Sequence, residues 1–104
     1  MYKIGLYVPD SHVEAVKQAM FAAGAGRIGN YDSCSWQTLG QGQFRALQGS
    51  QPYVGQKGSV ERIAEWQVEM VCEEAAVKAV ITALRAAHPY EEPAYHVVKL
   101  ESVA

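Results

Sequence analysis

Residues 60–72 read VERIAEWQVEMVC, and the second half of that stretch decides the fold. Trp66, Val68, Met70 and Cys72 alternate with Gln67, Glu69 and Val71, which is the two-residue period of an extended strand with one apolar face. We read it as a central strand. Directly downstream, Ala76, Val77, Val80, Ile81 and Leu84 recur at helical spacing and predict an amphipathic helix over residues 74–87. Residues 94–100 then alternate again as a closing strand. Upstream, Tyr2, Ile4, Leu6 and Val8 alternate with Lys3, Gly5 and Tyr7 until Pro9 closes the strand. Ser11 and Glu14 have capping-box spacing, and Val13, Val16, Met20 and Ala23 predict a helix over residues 11–23 that Gly24 terminates. Residues 24–58 are rich in Gly, Ser, Gln and Asn, with strand-like pieces at 31–36 and 43–47. They read as a strand carrying an extra hairpin in residues 37–58.

The resulting order is strand, helix, strand, strand, helix, strand. This is the α+β, ferredoxin-like split βαβ sandwich, an antiparallel sheet with two helices on one face. Val13, Val16, Met20, Val77, Ile81 and Leu84 are expected to be buried together there. Tyr7 and Val71 would point to the other face. Either a second subunit or residues 37–58 of the same chain covers that face, and self-association is the expectation.

At 104 residues the chain is read as a single domain, residues 1–104, burying roughly two thirds of its unfolded surface. Hydrophobic residues make up 49% and charged residues 19%, and the net charge is -2, so no basic footprint for nucleic acid exists. The start Met1-Tyr2-Lys3-Ile4-Gly5 lacks a basic segment followed by an apolar run. No stretch reaches the roughly 18 apolar residues of a membrane span. A cytoplasmic location without a membrane partner is expected. Cys34 and Cys72 are far apart and outside any Cys-x-x-Cys spacing, which suggests reduced thiols.

One run is not explained by packing: His88-Pro89-Tyr90-Glu91-Glu92-Pro93-Ala94-Tyr95. Each proline pushes the residue before it out of helical geometry, so the run must leave the helix extended and hold its polar groups in place. Together with Gly24-Ala25-Gly26-Arg27-Ile28-Gly29-Asn30-Tyr31, Cys34-Ser35, Gly42-x-Phe44-Arg45, Gly49 and Pro52-Tyr53-Val54-Gly55, it resembles the insert domain of the YqfO branch of the Nif-three-like, dinuclear-metal-centre proteins. The resemblance spans almost the whole chain. It implies a fold similar to the PII and CutA proteins, which are ferredoxin-like trimers, and a stand-alone module of that kind. The family's metal pair lies in flanking halves, so the resemblance implies neither that centre nor its hydrolase-type activity here. A homo-oligomer, with a trimer favoured, is the expected assembly.

Gly24-x-Gly26-x-x-Gly29 matches a dinucleotide fingerprint as a string, but it follows a helix instead of opening one. The glycines are read as ending the first helix and turning the chain. Arg27 has a fork suited to phosphate or carboxylate, or forms a structural salt bridge. Cys34, His88 and Glu91, with Glu92 beside them, carry thiolate, imidazole and carboxylate donors, so a divalent metal is an alternative while no cofactor is expected. The run at 88–95 also reads as a rigid corner in which Tyr90 and Tyr95 pack their rings. Ser33, Cys34 and Ser35 precede Trp36 without a Gly-x-Ser-x-Gly elbow, which argues against an enzyme.

The expected function is a small binding or regulatory module with a small-molecule or protein partner. Alternatives are a CutA-like metal-binding protein, and an enzyme or accessory subunit of a Nif-three-like protein. The expected ligand site combines Arg27, Asn30, Tyr31, His88, Tyr90, Glu91 and Glu92. Arg27, Asn30, Cys34, His88, Glu91 and Glu92 are expected to converge at one end of the sheet. Replacing His88 or Glu91 with Ala is then expected to cost about 1 kcal/mol, as exposed polar groups contribute little.

Overall fold

A computed structural model describes residues 1–103. Strands β1 (Tyr2–Val8), β2 (Trp36–Arg45), β3 (Val60–Cys72) and β4 (Tyr95–Lys99) form one antiparallel sheet in the order β2-β3-β1-β4. Helices α1 (Val13–Ala22) and α2 (Val77–Ala87), the latter entered through a short 3-10 turn at Glu74–Ala76, pack against each other on one face. This is the arrangement expected from the alternation.

Register assigns the two faces. Tyr2 pairs with Cys72, Ile4 with Met70, Leu6 with Val68 and Val8 with Trp66, so these side chains share the helix-covered face. Ile4, Leu6, Val8, Val68, Met70 and Cys72 are buried there with Val13, Val16, Met20, Val80 and Leu84. Val77 and Ile81, expected in the core, lie half-buried at its edge. Burying a Leu or Ile side chain fully contributes roughly 1.5–3 kcal/mol, so this layer holds the fold.

The ends of α1 are made differently from one another. His12, not Ser11, is the N-cap, and no side chain caps the helix; Ser11 Oγ bonds His12 Nδ1 at 2.7 Å instead. The expected capping box is therefore not formed. At the C-terminus, Gly24 N–H donates to Phe21 O at 3.0 Å and Ala25 N–H to Met20 O at 3.1 Å, the paired bonds of a Schellman motif. Gly24 takes φ +116, which a side chain would resist. The glycine string is thus a helix stop.

Beyond Trp66, β3 continues without β1 at its side, and residues 60–65 pair only with residues 40–45 of β2. The extra hairpin is this two-stranded arm, with residues 46–59 as its tip, and it gives the molecule extents of 49 × 25 × 24 Å. The piece expected to be a strand at 31–36 is instead mostly loop, because Ile28 and Tyr31 bond each other across a two-residue turn at Gly29-Asn30. Among the described residues, no helix is long and apolar enough to cross a membrane.

Candidate functional site

The antiparallel course of the two helices divides the expected site. Helix α1 descends to the end of the sheet where β1 begins, and Gly26 N–H there donates to Val71 O at 2.8 Å. Helix α2 ascends to the end where β1 finishes, and His88 meets Tyr7. Because β1 and β3 are antiparallel, the internal pseudo-twofold exchanges the sheet ends, so the two equivalent joints face opposite ways. The expected convergence is corrected on this point. Arg27, Asn30, Tyr31 and Cys34 stand at one end, and His88, Tyr90, Glu91 and Glu92 at the other.

At the first end little is enclosed. Tyr31 is 75% exposed, and Arg27 and Asn30 are exposed, with no ion pair to Arg27 among the described residues. Cys34 is half-buried, its Sγ 3.6 Å from Asp32 O, and lines a shallow depression with Ile28, Trp36 and Glu69. Among the described residues, no group of three His, Cys, Asp or Glu side chains is placed to hold a metal ion, and Cys34 does not meet His88 and Glu91.

The second end is a built cleft of about 600 Å³. One wall is the hairpin arm, with Gly42, Phe44, Arg45 and Glu65, continued by Pro52 and Tyr53 at its tip; the other is Tyr90, Glu91 and Glu92, with Tyr7 on the floor. The volume falls within the range of small-molecule sites.

His88 organises the second wall. Pro89 forces it extended at the end of α2 (φ -74, ψ 136), and it is only 6% exposed. Tyr90 N–H donates to His88 Nδ1 at 3.1 Å, so the ring proton sits on Nε2, which donates to Tyr7 O at 2.7 Å. Burial holds the imidazole pKa below its ordinary value, against the opposing effects of the Tyr7 carbonyl and Glu65. The ring of His88 lies 4.7 Å from that of Tyr90, which also meets Phe44 at 6.4 Å and Tyr53 at 6.0 Å. Tyr90 therefore packs toward the arm. Tyr95, its expected partner, instead takes the Arg85 guanidinium over its ring.

Two hydrogen bonds tie the walls together. Tyr90 Oη donates to Glu65 Oε2 at 2.8 Å, and burial together with this bond raises the phenol pKa. Gln51 N–H donates to Glu91 Oε2 at 3.0 Å. Glu65 can reach Tyr90 because residue 42 is glycine; a Cβ there would collide with the Glu65 carboxylate. Sequence reasoning missed Tyr7, Phe44, Tyr53 and Glu65 as site residues. Glu65 keeps the polar half of the strand's alternation with Gln67 and Glu69 and so gave no signal of its own; the only hint was the pair Gly40 and Gly42 on the strand opposite it.

No family model matches the chain. It is 52% identical over 95 residues to the "GTP cyclohydrolase 1 type 2 homolog" of Mycobacterium leprae, covering 91% of this chain and 25% of that protein. The Bacillus subtilis protein of the same name is 40% identical over 99 residues, covering 95% and 26%. The chain thus spans about a quarter of the length of the curated relatives it matches. Among solved structures, a Bacillus cereus protein related to NIF3 superposes with a TM-score of 0.84 at 38% identity, covering 97% of this chain and 26% of that one. CutA from Xylella fastidiosa superposes with a TM-score of 0.71 at 23% identity, covering 99% and 86%. The four-stranded sheet, the two helices on one face and these likenesses give the chain a CutA-like, ferredoxin-like fold, and it resembles the insert of the YqfO branch of the Nif-three-like proteins.

Proposed function

We propose that this chain is a small binding or regulatory module of the PII/CutA-like kind, and that its ligand is a small molecule held between the hairpin arm and residues 88–94. The observation that carries this reading is the closure of the cleft by Tyr90 to Glu65 and Gln51 to Glu91, bonds that join segments distant in sequence around one aromatic-lined volume. Polar groups fixed at the edge of an apolar cleft orient a ligand, and the volume of about 600 Å³ suits a small molecule.

The module acts in this proposal as a homo-oligomer, a trimer in the arrangement the resemblance implies. Trp36, Val71 and Val98 on the sheet face away from the helices, with Trp36 57% exposed, support a partner copy there. The two free thiols fit a reducing, cytoplasmic setting. A second reading, an accessory unit of a Nif-three-like protein, is supported by relatives that carry this domain within a chain about four times as long.

Native mass spectrometry of the chain purified from cells tests the binding role. A bound small molecule retained by the wild type and lost from Glu91→Ala supports it. A library screen that shifts no resonance of Phe44, Tyr53 or Tyr90 overturns it.

A further inference from the structure

The lining of the cleft is net negative. Glu65, Glu91 and Glu92 line it against a single guanidinium, Arg45, and none of the three carboxylates forms an ion pair among the described residues. Glu65 and Glu91 each have one oxygen held, by Tyr90 Oη and Gln51 N–H, which fixes their orientation and leaves the other oxygen able to accept. The rings of Tyr7, Phe44, Tyr53 and Tyr90 line the same volume. An aromatic face carries negative charge density, so rings and carboxylates around one volume attract the same ligand, a positively charged group with an apolar body. An anion would meet three carboxylates and one guanidinium along the same lining, a net negative field.

From this arrangement, and resting on the reading of the cleft as a ligand site, we propose that the cleft recognises an organic ammonium compound. The ammonium lies against the rings of Phe44, Tyr53 and Tyr90, within the field of Glu91 and Glu92, and its apolar body reaches toward Tyr7. Tyr90 is a positioning residue for this site as well as a wall, since its hydroxyl holds Glu65 and its amide holds His88.

Three probes of nearly equal shape and different charge test the assignment by NMR titration of the full chain. They are choline, its uncharged carbon analogue with a tert-butyl group in place of trimethylammonium, and the tert-butylacetate anion. Choline is expected to shift the amide signals of Phe44, Tyr53, Tyr90 and Glu91. The uncharged analogue should bind roughly tenfold more weakly and the anion more weakly still, as cation–π attraction and the carboxylates both favour the positive charge. Replacing Glu91 and Glu92 together with Gln should weaken choline by about tenfold and leave the uncharged analogue unchanged. If the alcohol or the anion binds as tightly as choline at these signals, the cleft remains a ligand site but the cation assignment is overturned. If none of the three moves them, the ammonium assignment is overturned, and the library screen decides the ligand site separately.

Discussion

His88 Nε2 stands 2.7 Å from the carbonyl oxygen of Tyr7, a bond that spans 81 positions and ties the end of α2 to the end of β1. Truncating the buried His88 ring removes the partner of the Tyr7 carbonyl and of the Tyr90 amide, both part-buried, and leaves a ring-sized void.

His88→Ala is therefore expected to cost about 2–3 kcal/mol, from an unmet polar pair and a cavity together. This exceeds the 1 kcal/mol or so appropriate to an exposed polar residue. Urea denaturation compares the two, and a loss below about 1 kcal/mol would show that water replaces the imidazole without penalty.

A pH dependence follows from the same ring. Burial lowers the folded-state pKa of His88 below the ordinary 6.5. The unfolded chain thus takes up the proton first as pH falls, so this contribution to stability is complete above pH 6.5 and is lost progressively below it, until the folded imidazole also protonates. Denaturation midpoints measured between neutral and mildly acidic pH should fall for the wild type. His88→Gln should flatten that part of the profile; an unchanged slope would assign it to another group.

Gly42 and Tyr90 should be coupled through Glu65. Gly42→Ala drives the Glu65 carboxylate aside, which removes the acceptor of the Tyr90 hydroxyl; Tyr90→Phe removes the donor. Each single change is expected to cost about 1 kcal/mol, and the double variant little more than either, giving an interaction energy on the order of 1 kcal/mol. Simple additivity would mean that Glu65 and Tyr90 do not hold each other in solution.

Trp36 offers a test of assembly. It lies exposed on the sheet face opposite the helices, whereas Trp66 is fixed by its indole N–H to Asp10 Oδ1 at 2.8 Å. Light scattering is expected to give an oligomer at micromolar concentration, three copies in the proposed arrangement, and Trp36→Asp to shift it toward monomer. A wild-type monomer would remove the support for self-association, and a dimer would remove the trimeric arrangement.

The sheet and both helices were legible because Ile4, Leu6, Val8, Val68, Met70 and Cys72 declare their face by alternation, and Val80 and Leu84 by helical spacing. The 88–95 run was legible as a fixed corner, since two prolines and a histidine after a helix constrain the backbone directly. What the sequence did not show is depth. His88 reads as an exposed polar residue, and only the packing of α2 against β1 reveals that its ring is enclosed. The pairing of sites was also hidden, because the end of the sheet at which a joint emerges depends on strand direction. Glu65 was invisible as a site residue for a related reason, since its role rests on the missing Cβ of Gly42 across the ladder.

One wall of the cleft belongs to a ribbon of only two strands, residues 40–45 against 60–65, with no third strand beneath it. Two-stranded ribbons have little independent stability in water, and local opening there requires far less free energy than opening the four-stranded body. Amide hydrogens of Phe44 and Ile63 should accordingly exchange much sooner than those of Leu6 and Val68. A compound that bridges the two walls would slow the first pair and leave the second untouched. Occupancy of the cleft would thereby be recorded in the rigidity of the arm, a form that a neighbouring subunit or domain touching only the outer edge of β2 can sense.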